Sequence, residues 1–419
     1  MSDNGYLVTR KISIPRIKPL QKLVSKARDL RDAHEERHRP TGFGFALADN
    51  VDYLDTDRWD ILTKRDSLFF SRRYLRVLED AAPDNLQQRY ALIFRGREPV
   101  AAVVAQLVTV SLARVGKARK HHRVVERPLQ KLDERMLVCG NLLSWGMHGV
   151  CLAPNEDPAK LWPAVAEALY RIRRADKLSG DTDLVMVKDF TAEEEAAVSV
   201  LRRFSYRPVE TDPNMVLEFA PGWKSYEDYL KSLTSKYRSA CRQIDRKVAE
   251  AGCTVSQLTA AEIGQQAENL HRLYLQTHSN AKFRPVTLPP DFLPTLAGYL
   301  GDDFRCRVIK RDGELLGFVT SLRDGGTAVG YNIGFDREAA LEIPLYLGLL
   351  NGVVADGISL GGRRLSLGRT ALEPKARLGA KPQPMRVLVR HRIPMLNVLV
   401  RALLHTVSHD EPPERNPFK

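Results

Sequence analysis

The sequence predicts an α+β protein made of two domains of one kind, and three observations carry that expectation. Tyr74 to Val104 and Phe292 to Val319 read alike, each as a short helix, a strand, a tight polar turn and a second strand. Setting Glu98 on Glu314 also lays Arg95 on Arg311 and Ile93 on Ile309, and Gly96 and Asp312-Gly313 suit the positive φ of hairpin turns. Beyond the hairpin both halves continue in the same order, strand, helix, strand.

In the first half, "PVAAVVAQLVTVSLARV" reads as a buried strand, and a Lys-, Arg- and His-rich insertion (Lys117 to Arg127) follows it. Then come "RMLVCG", a strand near "HGVCLA", a helix from about Pro158 to Lys177, and the strand "TDLVMVKDF". The second half turns at Arg323 to Gly326 into "TAVGYNIG", a helix opening at Pro344 and closed by Gly357, and the strand "RRLSLG". Between the halves, Ser225 to Gly252 is a long helical pattern stopped by glycine. Its Arg238, Arg242 and Arg246 fall on one face, either a solvated charged face or a phosphate-binding stripe. The domain reading is a basic arm over 1–50, a first domain over 51–220, a second over 221–405 and a disordered tail over 406–419.

At 419 residues and 43% hydrophobic, the chain is long enough for real cores, and its net charge of +13 favours anionic partners without saying anything about fold. Residues 10–39 hold ten Lys or Arg against four acids, as an exposed helix on the first domain or as a membrane or RNA anchor. Five separated cysteines point to neither zinc nor disulfides and suit a reducing, cytoplasmic setting; no signal peptide, membrane span or metal site is expected.

Three strings in this order resemble a known family: "YLKSLTSKYRSACRQIDRK", "NIGFDREAALEIPLYLGLLNGVVADG" and "SLGRTALEPKARLGAKP". They are similar to the tandem-domain GNAT-superfamily acyltransferases, including the Fem-type aminoacyl transferases and FemAB-like peptidoglycan biosynthesis/recognition proteins, over roughly residues 55–395. The resemblance implies two GNAT-like (acyl-CoA N-acyltransferase) domains, each a mixed, mainly antiparallel sheet flanked by helices, the first commonly degenerate. Two neighbouring strands would splay apart and hold an acyl donor in the gap. The co-substrate would be acyl-CoA or aminoacyl-tRNA, the acceptor a small amine, with tRNA and peripheral membrane contact as further partners. The family's pyrophosphate loop is not found: "ARVGKA" (Ala113 to Ala118) lacks the leading Arg or Gln, which suits the aminoacyl-tRNA branch better.

On that resemblance, Glu342 stands beside the acceptor amine and Lys375 beside the donor, as a cation for a phosphate or an oxyanion. Glu342 also reads as complementing a helix N-terminus, and Lys375 as part of a solvated basic loop. Arg363 to Arg392 carries nine Lys or Arg and one acid, so Arg369 and Arg377 join Arg238 and Arg242 as donor-binding cations. Tyr331 and Asn332 alternate along a strand, so only one faces a cleft. Tyr331 is read as packing and Asn332 as turn chemistry or a substrate hydrogen bond. Tyr346 reads as a core aromatic or a proton donor to the leaving group. Asn141, Trp145 and His148 cluster in "GNLLSWGMHGV", with His148 structural. The competing class is a non-catalytic RNA- or anion-binding protein on the same scaffold.

Overall fold

Long runs of β-branched and small apolar residues form the first part of the sheet, in which β1 (Gly44–Ala48), β2 (Leu86–Arg95) and β3 (Glu98–Ser111) pair antiparallel. β4 (Asp133–Cys139), β5 (Val150–Leu152), β6 (Leu184–Phe190) and β7 (Arg207–Glu218) follow. The second half contributes β8 (Cys253–Gln257), β9 (Phe304–Arg311), β10 (Glu314–Asp324), β11 (Thr327–Phe335), β12 (Arg364–Ser366) and β13 (Lys381–His391). In this computed structural model the described residues are 39–64, 67–111, 133–279, 284–393 and 415–419, with a few isolated positions between 28 and 35 and at 396, 397 and 413. The basic arm, the insertion with His121 and His122, and "ARVGKA" lie almost wholly outside them.

The helices are α1 (Thr56–Thr63), α2 (Arg72–Asp80), α3 (Pro158–Ala175), α4 (Ala192–Val198), α5 (Tyr226–Ser232) and α6 (Ser235–Glu250). They continue with α7 (Ala260–Gln265), α8 (Ala267–His278), α9 (Phe292–Leu300), α10 (Leu345–Ser359) and α11 (Leu372–Arg377).

Both hairpins turn as the repeat implies. Arg95 faces Glu98 and Arg311 faces Glu314, with Gly96 at φ +61° and Asp312 and Gly313 at +53° and +82°. Each half then sets a parallel pair, β4 with β6 and β11 with β12. The strand order is β1-β2-β3-β4-β6-β13-β7-β12-β11-β10-β9-β8, with β5 on β3. The halves therefore exchange strands: β13, near the end of the chain, lies between β6 and β7, and β7, from the first half, pairs with β12. One apolar core, holding Tyr74, Leu78, Phe292, Leu296 and Phe318, draws on both halves where α2 packs on α9.

Four expectations are corrected. Residues 44–48, assigned to the arm, form the edge strand β1. The 225–252 segment is two helices, because the chain turns extended at Leu233 and Thr234 before α6. α10 runs through Gly357, packed against Ala328 and Leu365, and the left-handed glycine beyond its end is Gly361. The last residues of the supposed tail are docked. Pro417 is buried, Phe418 packs on Trp223 and Tyr229, and Thr234 N donates to Pro417 O at 2.8 Å. Two rings and two backbone bonds, the second from Lys419 N to Ser232 O, supply the contacts that composition alone did not reveal.

Candidate functional site

β11 and β12 pair only from Thr327↔Arg364 to Val329↔Ser366 and then part. β11 continues along β10 to Phe335, while the chain after β12 stays on β7, with Leu367 N donating to Met215 O (2.8 Å) and Met215 N to Gly368 O (3.1 Å). Among the described residues Gly330–Phe335 thus have no strand partner on the β12 side, an edge of the kind that hydrogen-bonds an extended ligand, although Ile333 O already accepts from Thr277 Oγ1 (2.9 Å).

A β-bulge sits where the gap opens. Thr320 of β10 stands opposite both Tyr331 and Asn332, and its hydroxyl accepts from Asn332 N (2.9 Å). The extra residue resets the alternation, so the expectation that Tyr331 and Asn332 face opposite ways is corrected: both face the α8 side. Tyr331 OH meets Tyr74 OH at 2.7 Å, and Tyr74 OH accepts from Asn141 Nδ2 at 2.7 Å. Asn332 lines a cavity of about 10 Å³, room for one water, with His271 and Tyr274; its buried Oδ1 has no partner among the described residues.

Beyond β12 the chain turns at Gly368 (φ +77°) and Ala371 (φ +51°) into α11. Lys375 on that helix is 4% exposed, beside Leu372, Ala376 and Leu378, and has no ion-pair partner among the described residues. Burial pushes its ammonium down to about 7, because a charge in apolar surroundings loses its hydration. Tyr346, at the start of α10, packs on Phe335 and is pushed up to about 12 by burial. Glu342 is exposed on the loop before Pro344, and the neighbouring Ala339 and Ala340 pack in the same apolar cluster as Tyr346 and Ala376. Tyr346, Ala339, Ala340 and Ala376 thus share one apolar cluster on the α10 side of the sheet, whereas Asn332 lies on the other face.

The expected donor-binding arginines are not gathered there, because carboxylates and carbonyls elsewhere hold them. Arg369 Nη2 donates to the fully buried Asp189, which also binds Lys188. Arg377 pairs with Glu373 (2.9 Å), Arg242 with Glu227, and Arg238 Nη1 donates to Leu233 O (3.2 Å). Other cations of the basic stretch pair with first-half acids, Arg386 with Glu195 and Glu210 and Arg392 with Asp181 and Asp183. Its charge density reflects insertion of β13 between acid-bearing first-half strands.

The matching first-half gap, between β4 and β6 beyond Cys139 and Val187, is occupied by its own side chains. Lys188 Nζ donates to Ser144 O (2.6 Å); His148 bonds Ser144 Oγ (2.8 Å), stacks on Phe69 and is pushed down to about 3 by burial. Sequence reasoning passed over Asp189. Its signal was a charged pair, Lys188-Asp189, ending an otherwise apolar strand.

The fold and the gap together define a protein of two GNAT-like domains joined in one sheet. Residues 235–376 match the family described as Acetyltransferase (GNAT) domain. The solved structure of FemX is similar at 10% identity and a TM-score of 0.52, over 83% of this chain and 98% of that one. A tandem GNAT protein from the clavulanic acid biosynthesis pathway, solved without AcCoA, is similar at 11% identity and a TM-score of 0.50, over 83% and 98%. No curated protein sequence matches. The family match covers about a third of the chain, and the likeness to these solved structures shows the fold, two GNAT-like domains in tandem.

Proposed function

We propose that the chain transfers an acyl or aminoacyl group from a thioester or tRNA ester onto an amine, with the donor in the gap between β11 and β12. The observation that supports this most is a buried lysine, Lys375, without an ion-pair partner among the described residues, on the helix that follows the splayed strand. With an ammonium held near pH 7, Lys375 suits a proton acceptor better than a permanent cation. It takes the proton of the acceptor ammonium, the freed amine attacks the acyl carbon, and the C–N bond forms as the C–S or C–O bond breaks. Tyr346, protonated at neutral pH, gives its proton to the leaving group and is reprotonated by the second proton shed from the attacking nitrogen, and exposed Glu342 attracts the incoming ammonium. The anion-binding alternative loses support because four of its arginines, Arg369, Arg377, Arg242 and Arg238, are held by other partners.

The donor reading leans toward a tRNA ester. In the loop between β11 and α10 the Asp336 carboxylate accepts from Glu338 N (3.0 Å) and Ala339 N (2.9 Å), so an acid rather than an open nest of amides caps the turn there. The pH profile of kcat/KM tests the role of Lys375: activity should rise through pH 7 as the amine becomes neutral. Lys375→Met should lose that limb and about 10²–10⁴-fold in rate while donor binding persists. An unchanged profile removes Lys375 from the mechanism. Glu342→Gln should cut turnover with donor Kd intact, and equal turnover refutes its role.

A further inference from the structure

We infer that Trp145, carried by the first half, limits the size of the acyl group that the second half's gap accepts. The inference rests on the acyltransferase reading above. Leu365 and Leu367 pack into the apolar cluster on the α10 side, so Ser366 between them faces the other way. There Trp145 Nε1 donates to Ser366 Oγ at 2.6 Å, and Ser366 Oγ in turn bonds Asn214 Oδ1 at 3.1 Å. A Cβ on Gly368 would lie 3.2–3.4 Å from the indole, so the chain passes directly under the ring. The ring centre is 6.5 Å from that of Tyr331, whose hydroxyl is fixed on Tyr74.

The indole therefore reaches from the end of β12 to β11 at the point where the strands part. On the opposite face the space beside Gly330 is closed, since a Cβ there would come within 2.9 Å of Val353 Cγ1. An acyl group in the gap is directed by these walls onto the half-buried indole, and its length is set by how far the ring stands off.

The test measures Kd for a short and a long group on the same carrier, acetyl- against octanoyl-CoA and glycyl- against phenylalanyl-tRNA. It uses the full-length protein, Trp145→Ala and Trp145→Phe. A ratio of affinities is insensitive to a partly unfolded sample, because both terms fall together. With each methylene admitted to an apolar pocket worth about 10–200-fold, the long-to-short preference should rise at least tenfold in Trp145→Ala and by a smaller factor in Trp145→Phe. If Trp145→Ala does not fold, the rise in Trp145→Phe decides. A wild type that binds donors with a ratio unchanged in the folded variants overturns this inference and leaves the transferase reading standing. A wild type that binds none of the four overturns both.

Discussion

Asp189 and Lys375 are both charged residues removed from water, and their surroundings send them to opposite ends. Asp189 is met by Lys188, Arg369 and the Gly146 amide, and although burial opposes ionisation, the two cations keep its carboxyl below the usual range. Removing one partner from a buried ion pair costs about 3–5 kcal/mol, so Asp189→Ala should lower stability by that amount in urea unfolding. Lys375 has no such compensation. Its folded-state value of about 7 lies below the 10.5 of an exposed lysine, so between those pH values the unfolded chain holds the extra proton and stability rises with pH. Below pH 7 the burial penalty is fully present. Lys375→Met should therefore stabilise the protein at pH 6, by on the order of 3–5 kcal/mol, and progressively less toward pH 10. The resemblance singled out Lys375, but charge alone does not distinguish it from Arg377. The helical register of α11, which buries one and exposes the other, separates them.

Among elements, the hairpins were the most legible, because an Arg-turn-Glu repeat with a left-handed glycine has few alternative geometries. The bulge at Tyr331–Asn332 was not legible, since a single inserted residue leaves no mark on an apolar pattern that already contains Gly330 and Gly334. The C-terminal segment was misread because its proline and charges resemble a solvated tail, while its affinity resides in Pro417 and Phe418. These residues brace α5, the start of α6 and α11: Arg415 pairs with Glu373 (2.9 Å), and Phe418 leaves no room for a Cβ on Gly379. Phe418→Ala should cost about 1–2 kcal/mol, seen as a lower Tm. If the tail fixes α11, the same change should also blunt the pH 7 limb assigned to Lys375.

For the molecule as a whole, strand exchange makes the halves interdependent. Without β13 the sheet loses the strand between β6 and β7, and without β7 strand β12 loses its antiparallel neighbour. A shared core around Tyr74 and Phe292 adds to this, so calorimetry should show one cooperative unfolding transition over residues 42–419. Two separated peaks would refute that coupling. Repetition of hairpin, helix and strand in the sequence pointed to two similar domains. It could not show that they trade strands, because pairing partners far apart in the chain leave no local periodicity. The same holds for the Asp189–Arg369 pair and for Trp145 on Ser366, which join positions 180 and 221 residues apart. The central claim is that an activated acyl donor occupies the opening between β11 and β12. It is tested most directly by melting the full-length protein with acetyl-CoA, a long acyl-CoA and charged tRNA in turn. The account predicts that at least one raises Tm, corresponding to about 2.7 kcal/mol at a hundred times its Kd. A Tm unmoved by all three contradicts it.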